Sequence, residues 1–184
     1  MKLVVPALEY LDGYKDALQR GWSPDNVRLD AAAREELAKI AEDPAAFVAS
    51  LDDPEAKGGM ITLRDGSKVS RLPGYRRWMW DGEFCGSIGF RWQKGTSALP
   101  PYVLGHIGYA VVPWKRRLGY ATHALALLLD DARREGLDHV MLTTDPENEP
   151  SQRVILSNGG SLHERFNAGS AYGNTDQLRF IIRL

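Results

Sequence analysis

Cysteine is nearly absent from this chain: Cys85 is the only one in 184 residues. A single thiol excludes an intrachain disulfide and a cysteine-rich metal site, so no metal is expected and a reducing, cytoplasmic setting fits best. Net charge is nearly absent too. The 23 basic and 24 acidic residues leave −1, which argues against a nucleic-acid or membrane-surface partner. No apolar run approaches the roughly 20 residues of a membrane-crossing helix. The apolar stretch within residues 1–6 is too short for a secretory leader. Repeats and low-complexity tracts are missing. What remains is 43% apolar, enough for one sizeable core, and the length predicts one domain over residues 1–184. Cys85 lies in an apolar strand pattern and reads as a small buried hydrophobe rather than a nucleophile.

Periodicity divides the chain into residues 1–74, a strand, helices and a long connection, and residues 75–184, a denser core. Residues 2–6 read as a strand. Leu8, Leu11, Tyr14 and Leu18 recur at helical spacing. A second helix is predicted from Asp30 to Ala41, and a short one after Asp43-Pro44 carrying Phe47, Val48 and Leu51. Residues 52–74 are polar, with one short apolar stretch at residues 60–63. A hairpin follows: residues 75–80 and 84–92 flank Asp81-Gly82, which predicts a type I′ turn. Residues 106–112 form the next strand and residues 139–144 another. A helix is expected over residues 150–157, and the last strands over 162–166 and 177–184. A strand, long helix and strand in series predict a mixed α/β sheet with a parallel pair around that helix.

The segment between those two strands is the most informative. Val111-Val112-Pro113-Trp114-Lys115-Arg116-Arg117-Leu118-Gly119-Tyr120-Ala121-Thr122 runs from an apolar strand through a basic turn into a helix. Ala121, Ala124, Leu125, Leu128, Leu129 and Ala132 share one helix face, and Gly136 is the expected stop. First-turn N–H groups have no intrahelical partner, and the helix dipole favours negative charge there, so the turn is an anion site. The spacing is neither that of a nucleotide P-loop nor that of a dinucleotide fingerprint, because Gly119 stands alone.

Arg116-x-x-Gly119-x-Ala121 after Val-x-Pro resembles the acetyl-CoA motif of the GNAT superfamily of N-acetyltransferases. Asn148-Glu149-Pro150-Ser151 through Gly159-Gly160 resembles that family's second motif. Gly105-His106-Ile107-Gly108-Tyr109 and the glycine pair resemble an uncharacterised bacterial subgroup, which implies no particular acceptor. The resemblance implies a GNAT fold: an α/β (α+β) architecture with a mixed sheet of about six or seven strands, about four helices, and a splayed parallel strand pair at the cofactor. It also implies direct acetyl transfer from acetyl-CoA to a primary amine of a small molecule or peptide. A non-catalytic acyl-CoA-binding module is the alternative. A homodimer stays open.

The same resemblance distributes roles. Val111 and Val112 would offer main-chain groups to the pantetheine arm. Arg116, Arg117, Leu118, Gly119, Tyr120, Ala121 and Thr122 would take the pyrophosphate. Asn148 and Ser151 would order the pantetheine or cap their helix. Many members place a tyrosine seven residues after this asparagine to protonate the leaving thiolate; here that residue is Ile155. Tyr109, Tyr120 and Tyr172 are substitutes. His106 is the candidate general base, since an unperturbed imidazole titrates near pH 6.5. Trp78, Trp80, Trp92 and Trp114 could wall an amine pocket. Arg76, Arg77 and Arg91 could bind an acidic group of the acceptor, or lie on a solvated or ion-paired strand face.

Overall fold

The computed structural model describes residues 1–26, 28–63 and 66–184. β1 (Lys2–Val4) is followed by three helices, α1 (Leu8–Gln19), α2 (Asp30–Glu42) and α3 (Pro44–Ala49). The polar connection holds three short strands, β2 (Asp52–Asp53), β3 (Met60–Thr62) and β4 (Lys68–Ser70), where the sequence showed one apolar stretch. β5 (Gly74–Trp80) and β6 (Phe84–Arg91) form the hairpin. β7 (Ile107–Val111), α4 (Tyr120–Arg134), β8 (His139–Thr144), α5 (Glu149–Ser157), β9 (Ser161–Asn167) and β10 (Asp176–Arg183) complete the chain.

The expected helices all form, with local reasons. The Asp43 carboxylate accepts the Ala46 N–H at 2.9 Å, and Pro44 occupies the first turn of α3. α4 buries Ala124, Leu125, Leu128, Leu129 and Ala132. It stops where Gly136 turns to φ +78° and Leu137 N–H reaches back to the Ala132 carbonyl. In α1, Leu11, Tyr14 and Leu18 point inward as expected, but Leu8 is exposed and Ala17 takes its place in the core.

The α/β fold is as expected, but the sheet is not one continuous ladder. β1, β5, β6 and β7 pair in that order with β2 added to β5, and β8, β10 and β9 form a separate antiparallel set. Among the described residues every strand pairing is antiparallel. The anticipated parallel pair, β7 and β8, shares no ladder among the described residues; a hydrogen bond from His106, just before β7, to Met141 of β8 links them. Helices flank both faces. One core lies between β5, β6, β7 and α4, with Ile88, Phe90, Leu125 and Leu128 buried in it. The other lies under α1 and α2, where Tyr14 stacks on Trp78 at 4.7 Å between ring centroids.

The hairpin tip departs from the predicted type I′ turn. Trp80 pairs with Phe84, so three residues form the loop, and Asp81 does not adopt positive φ. Asp81 instead accepts the Glu83 N–H through its side chain. The register shifts between Met79 and Trp80, leaving Cys85 as the extra residue of a bulge. Cys85 is fully buried, and burial pushes its thiol up to about 12.

Next to that bulge Gly86 adopts φ +147°, and a Cβ there would lie 2.3 Å from the Ala110 carbonyl oxygen. Gly86→Ala is therefore expected to destabilise the protein by at least about 3 kcal/mol, from backbone strain plus a backbone clash. Denaturant unfolding measures this, and a loss under about 1 kcal/mol would contradict the packing described.

Candidate functional site

β7 is where the site begins. Its hydrogen bonds to β6 are bracketed by Arg91 N–H to the His106 carbonyl at 2.9 Å and Val112 N–H to the Cys85 carbonyl at 3.0 Å. Alternation between these bonds turns the main-chain groups of Gly108 and Ala110 toward β6, and those of Ile107, Tyr109 and Val111 toward the gap beside β8. Val111 thus faces the gap as expected. Val112 does not: its amide is committed to Cys85 and its side chain is fully buried. Tyr109, which the sequence offered only as a substitute acid, supplies a second main-chain position on the open edge.

Beyond β7 the chain makes one 3-10 turn, Pro113–Lys115, and then the loop into α4. Arg117 at φ +62° and Gly119 at φ +76° both take left-handed backbone, which curls successive amides inward. Gly119 is the N-cap of α4 and provides no side-chain cap. Among the described residues, none of the N–H groups from Arg117 to Thr122 donates a hydrogen bond. Arg116 folds back on the Val111 carbonyl at 3.4 Å, whereas Arg117 and Leu118 are exposed.

Three side-chain contacts hold this turn from outside. Tyr120 donates its hydroxyl to Asp81 at 2.6 Å, and the Lys115 ammonium bridges Asp81 at 3.0 Å and Glu83 at 3.1 Å. The Tyr120 hydroxyl, then Lys115, hold the Asp81 carboxyl well below the usual carboxylate range, so it stays charged. The Arg20 guanidinium lies over the Trp114 ring at 3.5 Å and ties the end of α1 to the turn. From behind, Asn158 donates to the Thr122 carbonyl at 3.2 Å.

Across the gap stands α5. Asn148 is its N-cap, with Oδ1 accepting the Ser151 N–H at 3.2 Å. Ser151 in turn meets the Tyr109 hydroxyl at 2.9 Å, which braces α5 against β7. Burial raises the Tyr109 pKa to about 12, so the hydroxyl remains protonated. Ile155 is fully buried. A groove of about 640 Å³ passes Asn148, lined by Asp145, Glu147 and Asp176 with Arg165 among them. The tryptophans do not form one group. Trp78 and Trp80 share a face as alternation required, but Trp78 is buried on Tyr14, Trp92 stacks on Phe90 within the other core, and Trp114 sits under Arg20.

His106 was expected to be the general base, and its ring is tied into the joint between the two half-sheets. The side chain is fully buried. Its main-chain N–H donates to the Met141 carbonyl at 2.7 Å, and Nδ1 accepts the Met141 N–H at 2.9 Å. That bond requires the neutral ring with its proton on Nε2, so no lone pair faces the site. Burial first, then the charges of His139 and Arg91, lower its pKa to about 4. The imidazole replaces a backbone carbonyl as acceptor, and joins the two half-sheets at the point where they part. Gly105 permits the approach, since a Cβ there would lie 3.0 Å from the Met141 carbonyl oxygen.

An open strand edge, a turn of unclaimed amides and a strand that parts from it form a cleft suited to an extended ligand with an anionic end. A family model described as "Acetyltransferase (GNAT) domain" matches residues 20–161. No curated protein sequence matches the chain. Among solved structures, Mycobacterium smegmatis RimJ in complex with CoA-disulfide is 20% identical, with a TM-score of 0.65 over 98% of this chain and 85% of that one. The microcin C7 self-immunity acetyltransferase MccE, in complex with acetyl-CoA and AMP, is 11% identical, with a TM-score of 0.59 over 99% and 91%. A GNAT-family acetyltransferase from Bacillus anthracis is 16% identical, with a TM-score of 0.58 over 98% and 93%. These likenesses show a shared fold. The chain belongs to the GNAT acetyltransferase family and is an acetyltransferase.

A histidine whose pKa is lowered on folding contributes stability above its unfolded value, and that contribution is lost as pH falls toward the folded value. The wild-type protein should therefore lose on the order of 3 kcal/mol through His106 between about pH 6.5 and pH 4. His106→Asn should be less stable at pH 7 and less sensitive to acid over that window. Chemical denaturation at several pH values measures both. Per folded molecule, the same variant should keep the wild-type pH profile of kcat/KM. Loss of an acid limb would restore His106 as the base.

Proposed function

We propose that this protein transfers acetyl from acetyl-CoA to the primary amine of a small molecule or peptide. The observation that carries the reading is the run of unpartnered amides from Arg117 to Thr122, at the mouth of the gap between β7 and β8. Backbone donors at a helix N-terminus suit a pyrophosphate, and the positive charge of Arg117 adds to them. The open main-chain groups of Tyr109 and the N–H of Val111 suit the amide-bearing pantetheine arm, which would add to β7 as an extra strand. The solved structures of RimJ and MccE contain CoA-disulfide and acetyl-CoA respectively. Asn148 and Ser151 act indirectly, by fixing the start of α5 and its brace to Tyr109.

Acetyl-CoA supplies the thioester. The amine nitrogen of the acceptor attacks its carbonyl carbon, the carbon–sulfur bond breaks, and CoA leaves as thiolate. An N–H on the open edge of β7 polarises the carbonyl oxygen. Since the Nδ1 lone pair of His106 is occupied, the ammonium proton passes to water in the cleft rather than to that ring. Among the described residues no group of three or more His, Cys, Asp or Glu side chains is placed to hold a metal ion. No helix of the described residues is long and apolar enough to cross a membrane.

Acetyl-CoA at ~100 times its Kd should raise the unfolding free energy by about 2.7 kcal/mol. Gly119→Glu should abolish the gain, because the position is left-handed and the new carboxylate would meet the pyrophosphate. An unchanged thermal midpoint at millimolar acetyl-CoA would remove the proposal. Release of free CoA thiol across amino acids, polyamines, aminoglycosides and short peptides separates an enzyme from a binding module. Turnover with any amine decides for the enzyme, and tight binding with a silent panel decides against it.

A further inference from the structure

The sheet face turned toward α1 and α2 carries Arg76 of β5, Ser87, Gly89 and Arg91 of β6, and Gly108 and Ala110 of β7, by alternation from the opposite, α4-facing residues. Gly89 and Gly108 are paired across the two strands. Gly108 is exposed, and a Cβ added to it would meet nothing within 4 Å. The layer of helices leaves this part of the sheet bare, beside the edge of β7 that opens into the cofactor gap.

Three arginines rise from β5 and β6, and their fates differ. Arg76 is held by Glu36 at 3.0 Å and by the Tyr14 hydroxyl at 3.0 Å. Arg77, on the other face, pairs with Asp52 at 3.5 Å and lies over the Tyr75 ring at 3.9 Å. The Arg91 side chain makes no hydrogen bond or ion pair among the described residues; longer-range electrostatic interactions reach it from Tyr172, Arg76 and Asp25. Asp25 is already bound by Arg28, through Nε at 3.0 Å and the main-chain N–H at 2.9 Å. Arg91 is exposed to solvent yet flanked by protein, and desolvation lowers its pKa. Its strand position lies two residues from Gly89, about 7 Å along β6, a span that an arginine side chain covers.

We propose, on the basis of the acetyltransferase reading above, that Arg91 is the anion clamp of the acceptor cleft, and that the acceptor is an amine bearing a carboxylate near its amino group. The guanidinium fork takes the carboxylate with two parallel hydrogen bonds. The bare floor over Gly89 and Gly108 accommodates the body of the acceptor. Its amine then lies beside the open edge of β7. The carboxylate comes either from a free α-amino acid or from an acidic side chain near the start of a peptide, and both satisfy the same chemistry.

Matched acceptors test this. One pair is an amino acid and its carboxamide. Another is a peptide amide beginning with Asp or Glu and its Asn or Gln counterpart. In the wild type, the carboxylate member of at least one pair should have the higher kcat/KM, by tenfold or more, and the preferred pair identifies the source. Arg91→Gln should bring that ratio close to one, mainly through KM, while the thermal shift given by acetyl-CoA stays intact and shows that the variant is folded. A binding arm is independent of turnover: titration of the N-acetylated acids, followed by NMR of the arginine side chains, should show saturation that Arg91→Gln weakens at least tenfold. A failure of the acetyltransferase reading appears as no acetyl-CoA shift, and the binding arm still decides the role of Arg91. Equal rates for acids and amides, an unchanged ratio in Arg91→Gln, or carboxylate binding indifferent to that substitution would each overturn the proposal.

Discussion

The two hydrogen bonds between His106 and Met141 are the joint on which this molecule depends. Among the described residues they are the hydrogen bonds that join the β7 half-sheet to the β8 half-sheet at the point where the strands part. A regular parallel ladder would continue along both strands and close the gap. Here a side-chain nitrogen substitutes for the second carbonyl, so the contact is satisfied locally and cannot propagate. The ring is buried because it lies inside the sheet, and it is neutral because it accepts a hydrogen bond there. The gap, the open edge of β7 and the exit of the chain into the amide turn all follow from that interruption.

A turn that must leave its amides unpartnered cannot stabilise itself through them. Such groups are free to receive a ligand only if something else fixes the backbone. Asp81, Lys115 and Tyr120 clamp the turn to the tip of the β5–β6 hairpin, and Arg20 over Trp114 clamps it to α1. The low pKa of Asp81 keeps that clamp charged across neutral pH. The hairpin tip has given up the expected two-residue turn for the same reason. Asp81 caps its own loop with one oxygen and holds the turn before α4 with the other. Donors fixed in this way would need little further ordering to receive a ligand.

Much of this was legible in the residues. The helical face of α4, its stop at Gly136, the helix after Asp43-Pro44 and the turn at Gly119 are local features, and each depends on residue type at short spacing. The hidden part is what distant segments do to one another. Nothing in the spacing of His106 announces that Met141, 35 residues later, will use its ring as a backbone substitute. The commitment of Val112 to Cys85 depends on a bulge that shifts hairpin register by one residue. The difference among Arg76, Arg77 and Arg91 rests on Glu36 and Asp52, contributed by segments far from β5 and β6 in sequence. Pattern places all three arginines on adjacent strands, and packing shows which side chain has no hydrogen-bond or ion-pair partner among the described residues.

Ile155 shows the same distinction at the point where the sequence departs from the family. Taken as a missing acid, it favours the non-catalytic module. In the structure it is a fully buried core residue whose Cγ2 would lie 2.4 Å from a Cβ on Gly160, and whose carbonyl accepts the Gly160 N–H at 3.0 Å. Ile155 and Gly160 are thus one packing arrangement: the glycine is there to let the end of α5 close onto the isoleucine. A phenol at this position would have to displace that contact. The residue therefore reports how α5 ends rather than whether chemistry was lost. A thiol of ordinary pKa, near 8.5, is already a competent leaving group close to neutral pH, so a core isoleucine at position 155 removes an aid to the reaction without removing a requirement.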